Sequence, residues 1–195
     1  MKNSTMNIPT LENKRVKLTP LNLENYTYLT EIGQQENLVQ YSPSKVDTPE
    51  DLKAYVQTAL DWQINKTAMP FIIFDKKANA YAGTSRYMNI NWHNRVLEIG
   101  ATWIGREFQG TGLNMNIKFL MLQYAFETLK FDKVEFRVDE RNIPSRKAVE
   151  KIGGTFEGLL RKNTLMLDGF KRNTCCYGIL KEEWDGIKND VFERF

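Results

Sequence analysis

Three groups of residues in this 195-residue chain have the types and spacing to do chemistry. The first is Gln109-Gly110-Thr111-Gly112-Leu113, which joins an apolar run, Val96 to Ile104, to a long helix-period segment with no spacer. Glycines there leave backbone N–H groups unscreened at a helix start, where those donors and the helix dipole favour phosphate oxygens. The second is Glu98, a carboxylate flanked by apolar residues of the run. Catalysis and an ion pair with an arginine explain that placement equally well. The third is the stretch DERNIPSRKAVEKIG, in which Asn142 and Ser145 lie three apart where a strand gives way to a helix. Capping is the ordinary use of such residues. The neighbouring Arg141, Arg146, Lys147 and Lys151 suit either a solvated face or a phosphate.

The glycine loop matches neither standard nucleotide pattern. No Gly-Lys-Ser/Thr follows it, and Met115 stands where the dinucleotide fingerprint would place its third glycine. On its own it is read equally well as a phosphate site and as a tight turn. His93 falls in a polar turn, and with one histidine and two adjacent cysteines, Cys175 and Cys176, no zinc-ligand set is present. The cysteines read as packing residues of a strand, since a nucleophile wants a nearby histidine.

These groups need a scaffold, and the chain is long enough to bury a substantial core. Hydrophobic residues make up 42% and charged residues 26%, as in an ordinary globular protein. The 27 basic and 24 acidic residues leave +3, too little for a nucleic-acid signature but compatible with an anionic small ligand. Vicinal cysteines rarely form a relaxed disulfide. No leader-like or membrane-spanning apolar run is visible. The expectation is therefore a cytoplasmic protein with neither nucleic acid nor membrane as partner.

The elements follow from periodicity and punctuation. Met1 to Glu12 reads as a loose tail and Arg15 to Thr19 as a strand. A helix capped by Asn22 carries Leu23, Tyr26, Leu29 and Ile32 on one face. Thr48-Pro49-Glu50-Asp51 opens a second helix that should send Leu52, Tyr55, Val56, Ala59, Leu60 and Trp62 toward the core. Strands are expected over Pro70 to Asp75, Tyr81 to Ile90 and Val96 to Ile104, and the helix after the glycine loop runs to Leu129. Strict alternation in the last of these strands would put Leu97, Ile99, Ala101 and Trp103 on one face. Glu98, Gly100 and Thr102 would then share the other. A strand at Lys133 to Asp139, a helix at Pro144 to Lys151, two strands around Asp168-Gly169 and a helix from Glu182 to Phe195 complete the chain. The order predicts an α/β (α+β) fold, a mixed sheet with helices on its faces, in one domain over residues 1–195.

Taken together, the chain resembles the GCN5-related N-acetyltransferase (GNAT) superfamily, and within it the ribosomal-protein-alanine (RimJ/RimL-type) branch. The residues that carry the likeness are Leu97-Glu98-Ile99-Gly100 with Trp103, Gln109-Gly110-Thr111-Gly112, Arg141-Asn142 with Ser145, and Glu150-Lys151 with Gly153. Glu157-Gly158, Tyr177 and Glu183-Trp184 extend it toward the C-terminus. The resemblance implies a strongly twisted sheet whose central parallel strands splay apart to admit acetyl-CoA as co-substrate, with no metal. Its pyrophosphate would lie on Gln109, Gly110, Thr111, Gly112 and Leu113. The pantetheine arm would run along Ala101, Thr102, Trp103 and Ile104, and Asn142 and Arg146 would complete the cofactor site. Two positions depart from the wider pattern. Glu107 stands where a glutamine or arginine is common, and Val149 stands where many members carry a tyrosine. Ser145 then becomes the candidate to protonate the departing thiolate, and Glu98 the carboxylate that takes the amine's proton through water. The implied activity is acetyl transfer to a primary amine, for which a protein N-terminus is one candidate. A CoA-binding sensor without catalysis is the alternative, and a homodimer is left open.

Overall fold

Alternating runs such as Val16–Pro20 and Lys133–Asp139 and the continuous apolar run within Met69–Asp75 are among eight strands: β1 (Leu11–Glu12), β2 (Val16–Pro20), β3 (Met69–Asp75), β4 (Ala80–Asn91), β5 (Val96–Ile104), β6 (Lys133–Asp139), β7 (Thr155–Leu165) and β8 (Lys171–Leu180). In the computed structural model, which describes residues 8–193, they form one sheet in the order β1-β2-β3-β4-β5-β6-β8-β7. All neighbours pair antiparallel except β5 and β6. The helices are α1 (Thr30–Gly33), α2 (Pro49–Ile64), α3 (Leu113–Gln123), α4 (Ile143–Lys151) and α5 (Trp184–Phe192). Buried side chains from every strand but β7 and from all of these helices join in one core cluster.

Most expected elements form where the local chemistry places them. Thr48 caps α2 by accepting the Asp51 N–H, with proline in the first turn. Two terminal expectations differ. Leu11–Glu12 is a short edge strand rather than tail, while residues 1–7 of that tail lie outside the described residues. The C-terminal helix is α5, entered through a 3-10 turn at Lys181–Glu183, and the last two residues of its expected span also lie outside. The helix expected after Asn22 is only a 3-10 turn, Tyr26–Leu29, running into the four residues of α1. Asn25 gives a reason: its side chain accepts the Asn22 N–H and donates to the Pro20 carbonyl, local bonds that compete with helix formation.

Two features of β5 shape the site. It pairs with β6 only at Val96, Leu97 and Glu98, and beyond Glu98 the two strands part. On the other side, Arg86 faces Gly100 and Thr84 faces Trp103, so Ala101 and Thr102 together oppose the single residue Ser85. That is a β-bulge, with Ala101 at φ +47°. The bulge overturns the expected alternation. Thr102 turns to the face covered by α3, where its hydroxyl meets Lys118, and Trp103 turns to the α2 face, where its indole donates to Tyr55 Oη. Trp62, expected in the core, is 39% exposed near the end of α2.

Candidate functional site

A cavity of about 1090 Å³ opens where β5 leaves β6. It extends from Gln109 and Gly110 along residues 99–104 to Asn142 and Ser145 on one side and Glu98 and Arg86 on the other. Such a volume exceeds what a small amine alone would fill.

At the loop end the ligand surface is backbone. Gly110 and Gly112 sit at φ +72° and +83°, and Gly112 caps α3 with no side-chain acceptor for the first N–H groups. A Cβ on either glycine would meet nothing within 4 Å, so the glycines are required by their backbone angles and leave the helix start open. The side chains nearby are occupied elsewhere. Thr111 Oγ1 donates to the Phe108 carbonyl at 2.7 Å, Gln109 Nε2 donates to the Ile104 carbonyl at 3.0 Å, and Leu113 is buried in the core. Arg15, clamped side-on to Asp75, also reaches Thr111 and ties the loop to β2.

Asn142 caps α4, its Oδ1 accepting the Ser145 N–H at 3.1 Å, and both residues line the cavity. Capping and lining are thus the same placement. Arg146 is different. Its Nε donates to Tyr177 Oη and its Nη1 to the Glu140 carbonyl, and it is not among the residues lining the cavity. The geometry gives it a structural task beside the cofactor contact that the resemblance implies.

The far end is made of buried charge. Glu98, 5% exposed, accepts from Asn89 Nδ2 at 2.7 Å and lies 3.6 Å from Arg137 Nε. Burial raises the Glu98 pKa, and the Asn89 hydrogen bond and the Arg137 charge only partly oppose the rise. Glu98 thus has an arginine nearby and a carboxylate whose pKa is raised. On the α3 face, Lys118 Nζ donates to Thr102 Oγ1 at 2.8 Å, and that oxygen shares a 2.7 Å hydrogen bond with Ser85. Burial lowers the Lys118 pKa to about 7. Arg86, 2% exposed, lies with its Cζ 4.4 Å from the centre of the Tyr55 ring.

Sequence reasoning missed Arg86 and Lys118. Each leaves a trace, a lone cation in an otherwise small and apolar strand (AGTSRYM) and one in an apolar helix (NIKFLML). The bulge that brings Thr102 to Lys118 has no such signal. Burial raises the pKa of Cys175 and of Cys176, and neither is poised as a thiolate, in keeping with a packing role. Among the described residues no group of acidic, histidine or cysteine side chains could hold a metal, and no helix is long and apolar enough to cross a membrane.

An open helix start feeding a slot between two parting parallel strands suits a long ligand with phosphate at one end. A hydroxyl and a buried carboxylate lie along the same slot. The family model described as Acetyltransferase (GNAT) domain matches residues 15–155, and the chain belongs to the GNAT acetyltransferase family. A 100-residue stretch is 36% identical to YdaF of Bacillus subtilis strain 168, provisionally named a ribosomal N-acetyltransferase. That match spans about half of each protein, 51% of this chain and 54% of YdaF. An uncharacterized N-acetyltransferase of Bacillus licheniformis, p20, is 25% identical over 91% of this chain and 99% of its own length. Among solved structures, a GCN5-related N-acetyltransferase from Brucella melitensis superposes with a TM-score of 0.88, at 25% identity, over 97% of this chain and 86% of its own.

Proposed function

We propose that this chain moves the acetyl group of acetyl-CoA to a primary amine by direct attack within one ternary complex. The observation that carries this reading is the continuity of the cavity, from the glycine loop along the unpaired side of β5 to Glu98 and Ser145. The backbone N–H groups at the start of α3 hold the pyrophosphate. The bulge at Ala101 and Thr102 offers an N–H to the thioester carbonyl, as an oxyanion hole does. Glu98, with its raised pKa, takes the proton of the attacking amine through water, and Ser145 gives one to the departing thiolate. Holding both substrates in one cleft contributes on the order of 7–11 kcal/mol when orientation is ideal.

The acceptor class, the α-amine of a protein N-terminus, is drawn from the branch resemblance, and the name of YdaF adds a ribosomal acceptor. CoA release measured across peptides with varied N-termini and a panel of small amines tests it. Turnover confined to small amines would remove the N-terminal acceptor, and acetyl-CoA binding with no turnover would make the chain a sensor. The exposed Phe156, Leu159, Leu160 and Leu165 of edge strand β7 support a homodimer, which light scattering would refute by finding a monomer mass.

A further inference from the structure

Among the described residues, Arg86 is a charged side chain of the cavity for which the protein supplies no hydrogen-bond partner. Its Nε and Nη2 are both buried and unpaired. The Tyr55 and Trp62 rings lie 4.4 and 5.7 Å from its Cζ and return only part of the cost of burying the charge. Two other arginines show what that edge of the guanidinium does in this protein. Arg15 sets Nε and Nη2 side-on to Asp75, both at 2.8 Å, and Arg141 does the same to Asp139 at 3.0 and 2.8 Å. The corresponding edge of Arg86 faces no carboxylate.

The cavity's own acids cannot serve. Three of them line it, Asp51, Glu98 and Asp139. Asp51 is taken by Thr48 and Lys45, Glu98 by Asn89 and Arg137, and Asp139 by Arg141. A ligand carboxylate would supply the balancing charge. Arg86 pairs across the sheet with Gly100, and Met88 with Glu98, so Arg86 and Glu98 are diagonal neighbours on one face, roughly 7–8 Å apart at the backbone. One small molecule, or one peptide end, can reach both.

We propose that the acceptor carries a carboxylate close to its reacting amine and that Arg86 binds this carboxylate side-on. The proposal rests on the acetyl-transfer reading and narrows its acceptor. Two sources share the chemistry, a free amino acid and a peptide whose first residue is acidic. Initial rates on the wild-type protein separate them: amino acids against their amides, and peptides beginning with Asp or Glu against matched peptides beginning with Asn or Gln. The carboxylate member of one set is expected to show kcat/KM higher by about tenfold or more. Equal rates throughout, or preference for the amides, overturn the proposal. Arg86→Met, which keeps an apolar side chain beneath Tyr55, is expected to erase the preference while acetyl-CoA affinity by calorimetry is maintained and the melting temperature does not fall. A preference that survives the substitution assigns Arg86 to structure and overturns its role. If no amine is acetylated, calorimetry of the CoA-loaded protein with N-acetyl amino acids and their amides still reads the site. Tighter binding of the acid, lost in Arg86→Met, upholds the anion site while the acetyl-transfer reading fails. Equal or absent binding overturns the site itself.

Discussion

At the glycine-loop end of the cavity, the groups offered to a ligand are main-chain N–H groups, and the adjacent side chains of Gln109, Thr111 and Leu113 turn away to brace the fold. At the opposite end the backbone is closed by pairing with β4, and the cavity is faced by the buried side chains of Glu98 and Arg86, with Lys118 on the α3 face beside Thr102. The first arrangement would suit any ligand with phosphate and costs little, because a helix start leaves its N–H groups unpaired in any case. The second stores unfavourable burial of charge that only a particular substrate and reaction would relieve. A shared cofactor end and a private acceptor end are what such a division would produce.

If the two ends are separately wired, substitutions should separate them in kinetics. The largest effect is expected from Glu98→Gln, which removes the base without changing shape. Turnover should fall by about 100-fold or more. Because the Glu98 pKa is raised, wild-type kcat/KM should climb with pH through a midpoint above the ordinary carboxylate value, and a pH–rate series on the variant should lack that limb. A limb that persists would move the base elsewhere. Next comes Ser145→Ala, expected to lower kcat by roughly tenfold with little change in acetyl-CoA binding by calorimetry. Binding that weakens in step with kcat would make Ser145 a cofactor contact.

Gly112→Ala should show the converse pattern. Its φ of +83° strains any side chain by about 1–2 kcal/mol, so KM for acetyl-CoA should rise several-fold while turnover at saturation holds. A loss of kcat alone would erase the distinction between the ends. The smallest kinetic effect belongs to Lys118→Met, which instead reads stability. Lys118 has a folded pKa of about 7 against an ordinary 10.5, so between these values the unfolded chain holds a proton that the folded chain does not. Stability gained above that window is lost as pH falls toward 7. The variant should therefore melt higher near pH 7, by on the order of 1–4 kcal/mol, with the advantage shrinking toward pH 10. Calorimetric melts across that range would show it, and a lower melting point at pH 7 would mean that the bond to Thr102 outweighs the burial.

The same division explains what could be read from the residues alone. The glycine loop, the caps at Thr48 and Asn142 and the strand–helix order are local, set by residues a few positions apart, and each appears in the structure. The acceptor end depends on contacts between distant segments: Tyr55 with Trp103, Lys118 with Thr102, Asn89 with Glu98. One extra residue in β5 also reverses which face Thr102 and Trp103 occupy, and no turn residue marks it, because Ala101 adopts the left-handed angle without being glycine. Arg146 also depends on distant partners. Its position in a basic helix suits a phosphate, yet Tyr177 and the Glu140 carbonyl from elsewhere in the chain claim it.

The central claim is direct transfer between two substrates held together in the one cavity. Initial rates of CoA release with acetyl-CoA and an acceptor amine both varied address it most directly. The account predicts intersecting double-reciprocal lines, with all of the acetyl group recovered on the amine. Parallel lines, with acetyl found on the protein when the amine is withheld, would contradict it.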